Sequence, residues 1–144
     1  MADEVWAQRE ALGLLQGTQI SYGSARTVYA CKLFSDCVIK VEDGAGSFQN
    51  VMEWETWQRV KDTKFAKWFA PCEFISPAGG ILVMKRTMPI DEKRYPQSVP
   101  AFFTDLKYAN YGMLDGQFVC HDYGVSLLME NGMSERMRKP EWWK

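Results

Sequence analysis

Apolar residues along this chain recur in two different periods, and the switches between them divide it into segments. In residues 1–16, Val5, Leu12 and Leu15 fall near one face with Trp6 beside it, among good helix formers. That spacing predicts a short helix closed by Gly17. From Thr18 the character becomes β: apolar and β-branched residues flank a Gly23-Ser24 turn, and the compact run Cys37–Glu42 follows Ser35-Asp36. Three antiparallel strands are expected, ending at the turn signal Asp43-Gly44-Ala45-Gly46. The period then turns helical, with Val51, Trp54, Trp57 and Val60 at three- and four-residue steps and Ser47 placed to cap the helix. Cys72–Ser76 and Gly79–Arg86 read as two more strands. The stretch from Met88 to Pro100 holds three prolines and many charges and reads as an extended connector. Short strands or loops framed by Asp115-Gly116 come next, and a short helix is expected from Ser134, stopped by Pro140.

Composition narrows the function classes. The 144 residues carry 17 Lys+Arg against 18 Asp+Glu, a net charge of −1, so there is no basic excess to attract nucleic acid or a membrane surface. A hydrophobic share of 47% supports one packed domain rather than a disordered chain. No apolar run approaches the roughly 18 residues that span a bilayer. The acidic start MADEVWAQRE is unlike a signal peptide, so a cytoplasmic location is expected. Cys31, Cys37, Cys72 and Cys120 form no CxxC pair and His121 is the sole imidazole, which disfavours a zinc site and His-assisted nucleophilic catalysis. The cysteines read as small buried hydrophobes.

Three separated motifs carry candidate chemistry. Ser21–Tyr29 holds Gly23 between two expected strands, Val38-Ile39-Lys40 lies on the third strand, and Asp105-Leu106-Lys107-Tyr108-Ala109-Asn110 precedes a hairpin and then Asp122-Tyr123-Gly124. In this order they resemble the glycine-rich loop, the strand-three lysine, the D-L-K-x-x-N catalytic loop and the D-F-G metal motif of the protein-kinase superfamily. The resemblance covers about residues 18–124, and Lys139-Pro140-Glu141 sits where that family has A-P-E. It implies an α+β fold: a kinase-like upper lobe, with a five-stranded antiparallel sheet and one main helix, and a strongly reduced lower lobe. The chain is expected to be a single domain over 1–144, with the helix 1–17, an upper-lobe part 18–87 and a reduced part 88–144.

The resemblance also implies roles. Lys40 holds the α- and β-phosphates of ATP, oriented by Glu53, which periodicity favours over Glu55 because Trp57 and Val60 follow it on an apolar face. Gly23 belongs to the phosphate loop, Val28 covers the adenine, Met84 guards the pocket behind it, and Arg86 belongs to the hinge. Asp122 and Asn110 hold Mg²⁺. Asp105 takes or orients the proton of the acceptor hydroxyl, and Lys107 neutralises charge on the transferred group. Phe103 is expected to pack with Tyr123 and Trp57 as an apolar spine.

The pattern also departs from the family. Gly23 is one glycine where three are usual, with Ser21 and Arg26 at the other two places. Only 18 residues, Thr87 to Thr104, separate Arg86 from Asp105, and Phe103-Thr104 replaces the usual His-Arg. Just 20 residues follow Gly124. The local wording resembles small kinase-like proteins of bacteriophages and trimmed kinase effectors of enteric pathogens. The expected function is therefore a minimal ATP/Mg²⁺-dependent Ser/Thr protein kinase acting on host proteins or itself, with activation by a partner as an option. The rival expectation is a catalytically silent kinase-like protein that binds and inhibits a host protein, and a small-molecule phosphotransferase is a third. Trp142 and Trp143, beside Arg136, Arg138 and Lys139, read either as a pair tucked against the core or as an exposed anchor for a host protein or a homodimer.

Overall fold

The computed structural model describes residues 2–44, 46–124 and 132–144. The described residues form an α+β arrangement with a five-stranded antiparallel sheet and, among them, two α-helices. Its contacts group into two compact units, Met1–Asn50 with Cys72–Arg86, and Val51–Pro71 with Thr87–Lys144. Among the described residues no helix is long and apolar enough to cross a membrane.

The first unit begins with helix α1 (Ala2–Leu15), which passes directly into β1 (Gln16–Tyr22). Gly17 therefore lies in a strand instead of ending the helix. A glycine suits that position for a packing reason, because a Cβ there would stand 2.8 Å from the backbone oxygen of Ala30. Strands β2 (Arg26–Cys31), β3 (Cys37–Glu42), β4 (Cys72–Ile75) and β5 (Ile81–Lys85) complete a sheet ordered β1-β2-β3-β5-β4. All five strands fall where the alternation expects them. Residues directly opposite one another share a face. Tyr29, Ile39 and Val83 are aligned across β2, β3 and β5, and with Cys31 and Cys37 they build a core onto which Leu12 and Leu15 of α1 pack. Val28, Lys40 and Leu82 are aligned on the other face. The four cysteines are buried.

Helix α2 (Gln49–Val60) begins in the first unit and passes into the second after Asn50. Its cap is not Ser47. The carboxylate of Glu42, at the end of β3, accepts the N–H of Asn50 at 2.6 Å, while the Ser47 hydroxyl donates to the same carboxylate at 3.1 Å. A full negative charge at the positive end of the helix does this work better than a hydroxyl. The buried line of the helix also differs from the apolar one expected. Glu53, Thr56 and Val60 are fully buried, whereas Val51, Trp54 and Trp57 are half-buried. Thr56 resolves its burial by donating to the carbonyl of Met52.

The second unit is built around aromatic rings. Phe69 packs edge-on against Tyr123 at 5.0 Å and against Phe103 at 5.5 Å. Phe69, which the sequence did not single out, is thus the ring that joins two members of the expected spine. Strands β7 (Tyr111–Leu114) and β8 (Gln117–Cys120) form a hairpin over Asp115-Gly116, both with positive φ, 50° and 79°, as a two-residue turn matched to the strand twist requires. The connector is not wholly extended: Asp91 caps a 3-10 turn at Glu92–Arg94 before the two-residue strand β6 (Val99–Pro100). The helix expected from Ser134 is absent, since Met137–Arg138 forms strand β9 paired with β6. Bonding to a partner far back in the chain has overridden local propensity.

Removing the cap carboxylate with Glu42→Ala is expected to cost about 1 kcal/mol, lowering the melting temperature by about 3 °C, whereas Ser47→Ala costs a few tenths at most. Differential scanning calorimetry of the two variants checks the order.

Candidate active site

In the first unit the expected nucleotide residues are carried by the sheet. Lys40, at the centre of β3, is 4% exposed and lies between Val28 on β2 and Leu82 on β5. Met84 is fully buried and pairs with Val38, two residues from Lys40, so Val28, Lys40 and Met84 share the sheet face opposite α1. Gly23 is exposed in the β1–β2 turn, where its N–H donates to the carbonyl of Arg26 at 2.8 Å. Its φ is not positive and a Cβ there would meet nothing closer than 4.0 Å, so the backbone does not require glycine. Arg86 is exposed just beyond β5, with its N–H on the carbonyl of Asp36.

A buried amide that the motifs did not reveal fixes the backbone of Lys40. The Asn50 side chain donates to the Lys40 carbonyl at 2.9 Å and to the Gly79 carbonyl at 3.0 Å, and its oxygen accepts from the Arg26 guanidinium at 3.1 Å. Arg26, read from the sequence as a stand-in for a loop glycine, is buried here as a structural donor.

The second unit brings the expected catalytic and metal motifs together through another buried asparagine. The Asn110 side chain donates to the Asp105 carboxylate at 3.1 Å, and the main-chain carbonyl of Asn110 accepts the N–H of His121 at 2.9 Å and of Asp122 at 3.3 Å. Asp105 and Asp122, 17 positions apart in sequence, thus lean on one residue. The 3-10 turn Tyr108–Asn110 delivers Asn110, and the β7–β8 hairpin returns the chain to it. Tyr111 donates its hydroxyl to the Asp105 carbonyl at 3.0 Å. Burial, above all, pushes that phenol well up from its ordinary value, with Cys120 and Asp105 adding to the effect, so it remains a donor.

Glu53 closes the other side of the D-Y-G segment. Its carboxylate, with no exposed surface, accepts the N–H of Tyr123 at 2.9 Å, and the Tyr123 hydroxyl donates to the Ala70 carbonyl at 2.8 Å. Glu55 is exposed. Lys107 is half-buried, with its ammonium 5.4 Å from the centroid of the Trp143 ring. His121 lies between Thr87 and Ala109: its Nε2 is 2.7 Å from the Ala109 carbonyl and its Nδ1 2.7 Å from the Thr87 hydroxyl. A carbonyl can only accept, which makes Nε2 the donor. Asn50, Tyr111, His121 and Trp143 are the members of these networks that the motifs did not assign, and each acts wholly or partly through a main-chain atom.

The donor set suits a hard cation. Asp105 and Asp122 supply carboxylates and Asn110 an amide, and Mg²⁺ is ordinarily held by one or two carboxylates completed by phosphates and water. No group of three or more His, Cys, Asp or Glu able to hold a metal occurs among the described residues.

No protein-family model matches the sequence, and no curated protein matches it.

Because the raised Tyr111 phenol favours the native state below the ordinary tyrosine range, its contribution is complete below about pH 10 and is lost as pH rises toward the folded value. Tyr111→Phe is expected to cost about 1 kcal/mol at neutral pH and to flatten the loss of stability above about pH 10. Urea unfolding across the alkaline range, wild type beside variant, measures both.

Proposed function

We propose that the chain is a minimal ATP- and Mg²⁺-dependent phosphotransferase of protein-kinase type, acting on hydroxyl groups of host proteins or of itself. The observation that carries the proposal is the Asn110 bridge, in which one buried residue orients the Asp105 carboxylate and the backbone of Asp122 together. Phosphoryl transfer asks little covalent chemistry of a protein, and positioned charge supplies most of the acceleration. A bridge that holds the Asp105 carboxylate beside the backbone carrying Asp122 serves such chemistry.

Each unit has its own part. In the first, Lys40 neutralises phosphate charge on a strand whose carbonyl Asn50 holds, and Val28 and Met84 give the same face an apolar lining for a base. In the second, Asp122 and Asn110 would hold Mg²⁺, which would supply positive charge to the phosphates. Asp105 receives the proton of the acceptor hydroxyl as that oxygen bonds to the γ-phosphorus and the bond to the leaving ADP oxygen breaks. Asn110, donating to one Asp105 oxygen, fixes the carboxylate's rotation for that transfer. Glu53 anchors the amide that follows Asp122. The fit of an upper lobe in the family's sense rests on the order of the five strands and on these pairings.

Incubation with radiolabelled ATP and Mg²⁺ in host lysate tests the reading. Wild type is expected to label protein, and Lys40→Ala, Asp105→Ala and Asp122→Ala to lose at least about a hundredfold of the rate. A wild-type chain that labels nothing, with a melting temperature unmoved by ATP and Mg²⁺, overturns the reading in favour of a silent binding protein.

A further inference from the structure

The loop that carries Asp105 has no helix leading into it. Strand β6 is two residues long, and the turn after it is closed by the Phe103 N–H on the Pro100 carbonyl. Buried Leu106 and the 3-10 turn at Tyr108–Asn110 follow. A carboxylate on such a loop needs its backbone held from elsewhere, since a displacement of about 1 Å at a reacting group can cost a hundredfold in rate.

Residues 136–143 supply that hold at points on both sides of Asp105. Upstream, the Ala101 N–H donates to the Arg136 carbonyl at 2.8 Å, β9 pairs with β6, and the Arg138 guanidinium donates to the Phe103 carbonyl. Downstream, the Trp143 N–H donates to the Leu106 carbonyl at 3.1 Å, and the Tyr108 N–H donates to the Trp143 carbonyl at 2.9 Å. The pair of bonds makes Trp143 a one-residue parallel bridge to Lys107. Trp142 locks the bridge in place, its ring stacked on Tyr108 at 5.5 Å and edge-on to Tyr95, Tyr111 and Phe118. The Trp143 ring is different. It is 49% exposed, too open to serve as core, and it lies along the Lys107 side chain.

We infer that residues 136–143 are the support of the Asp105 loop, and that Trp143 is a positioning residue for Lys107. The catalytic half of this inference rests on the phosphotransfer reading; the structural half does not. By facing the ammonium, the Trp143 ring limits the directions Lys107 can take, while the two main-chain bonds of Trp143 fix the peptide that carries it. The two tryptophans thus divide the work, one as anchor and one as guide.

Hydrogen exchange and kinetics on the full chain test the two halves separately. Trp143→Pro removes the N–H that reaches Leu106. The Tyr108 amide is expected to exchange about tenfold faster in this variant while β3 amides keep their wild-type rates. Wild-type exchange at Tyr108 overturns the support. In Trp143→Ala, whose exposed ring costs little folding, kcat for phosphotransfer is expected to fall about tenfold with KM for ATP within twofold, and Trp143→Phe to restore most of it. Adding Lys107→Ala to Trp143→Ala is expected to cost no more than Lys107→Ala alone. An unchanged kcat in Trp143→Ala, or full additivity, overturns the positioning role. A wild-type chain that transfers no phosphoryl group refutes the phosphotransfer reading and with it the role of Lys107, and the Tyr108 exchange rate then decides the support by itself.

Discussion

A buried primary amide has two donors and a carbonyl, and each must find a partner because water is no longer there to provide one. This chain meets that demand with one asparagine in each unit. Asn50 is saturated by three strand or turn segments, through Arg26, Lys40 and Gly79, while its own N–H reaches Glu42. Asn110 donates to Asp105 with its side chain, and its main-chain carbonyl, a separate group, accepts from the His121 and Asp122 amides. The remainder of each unit is arranged so that these demands are met. Leucine at position 50 has nothing to offer the two carbonyls and the guanidinium that converge there, whereas leucine at position 110 loses the bond to Asp105 and keeps the main-chain carbonyl that serves His121 and Asp122.

The same economy explains how a candidate active centre coexists with so much aromatic packing. Rings such as Phe69, Phe103 and Tyr111 supply bulk and exclude water, but they orient nothing polar by their faces. Direction comes from the hydrogen bonds threaded among them. Tyr111 and Tyr123 serve both ends, with rings in the cluster and hydroxyls on the carbonyls of Asp105 and Ala70. Glu53 is the extreme case, a carboxylate with no exposed surface whose acceptor capacity is directed to the Tyr123 amide. A polar group kept in such a setting is costly unless it is bonded, so its orientation is well defined.

How much of this the sequence discloses follows from the kind of atom involved. Strands β1 to β5 are legible because β-branched alternation and Gly-containing turns are local signals, and the β7–β8 turn announces itself as Asp-Gly. Helix α2 is legible as a helix, and its inward face in part: Glu53 and Val60 lie inward and Glu55 outward as the period expects, whereas Thr56 is buried and Val51, Trp54 and Trp57 are only half-buried. Glu53 and Thr56 are polar, and their burial depends on the Tyr123 amide and the Met52 carbonyl, which carry no side-chain signature. Ser47 looked like a cap because a cap is sought next door, whereas Glu42 reaches across from the preceding strand. Segment 134–140 has the composition of a helix and becomes a strand only because Val99–Pro100 is there to pair with it. Candidate residue types at 105, 110 and 122 could be read from their spacing; the bonds that join them run through main-chain atoms and could not.

Cys37 carries a further consequence. It is buried at the start of β3 beside Asp36, and desolvation, aided by that neighbouring carboxylate, pushes its thiol up to about 11. At neutral pH on the order of one in ten thousand of these side chains is thiolate at any moment, and thiolate is the form that oxidants and alkylating agents attack. A thiol held in this way reacts more slowly with such agents than an exposed one of ordinary acidity.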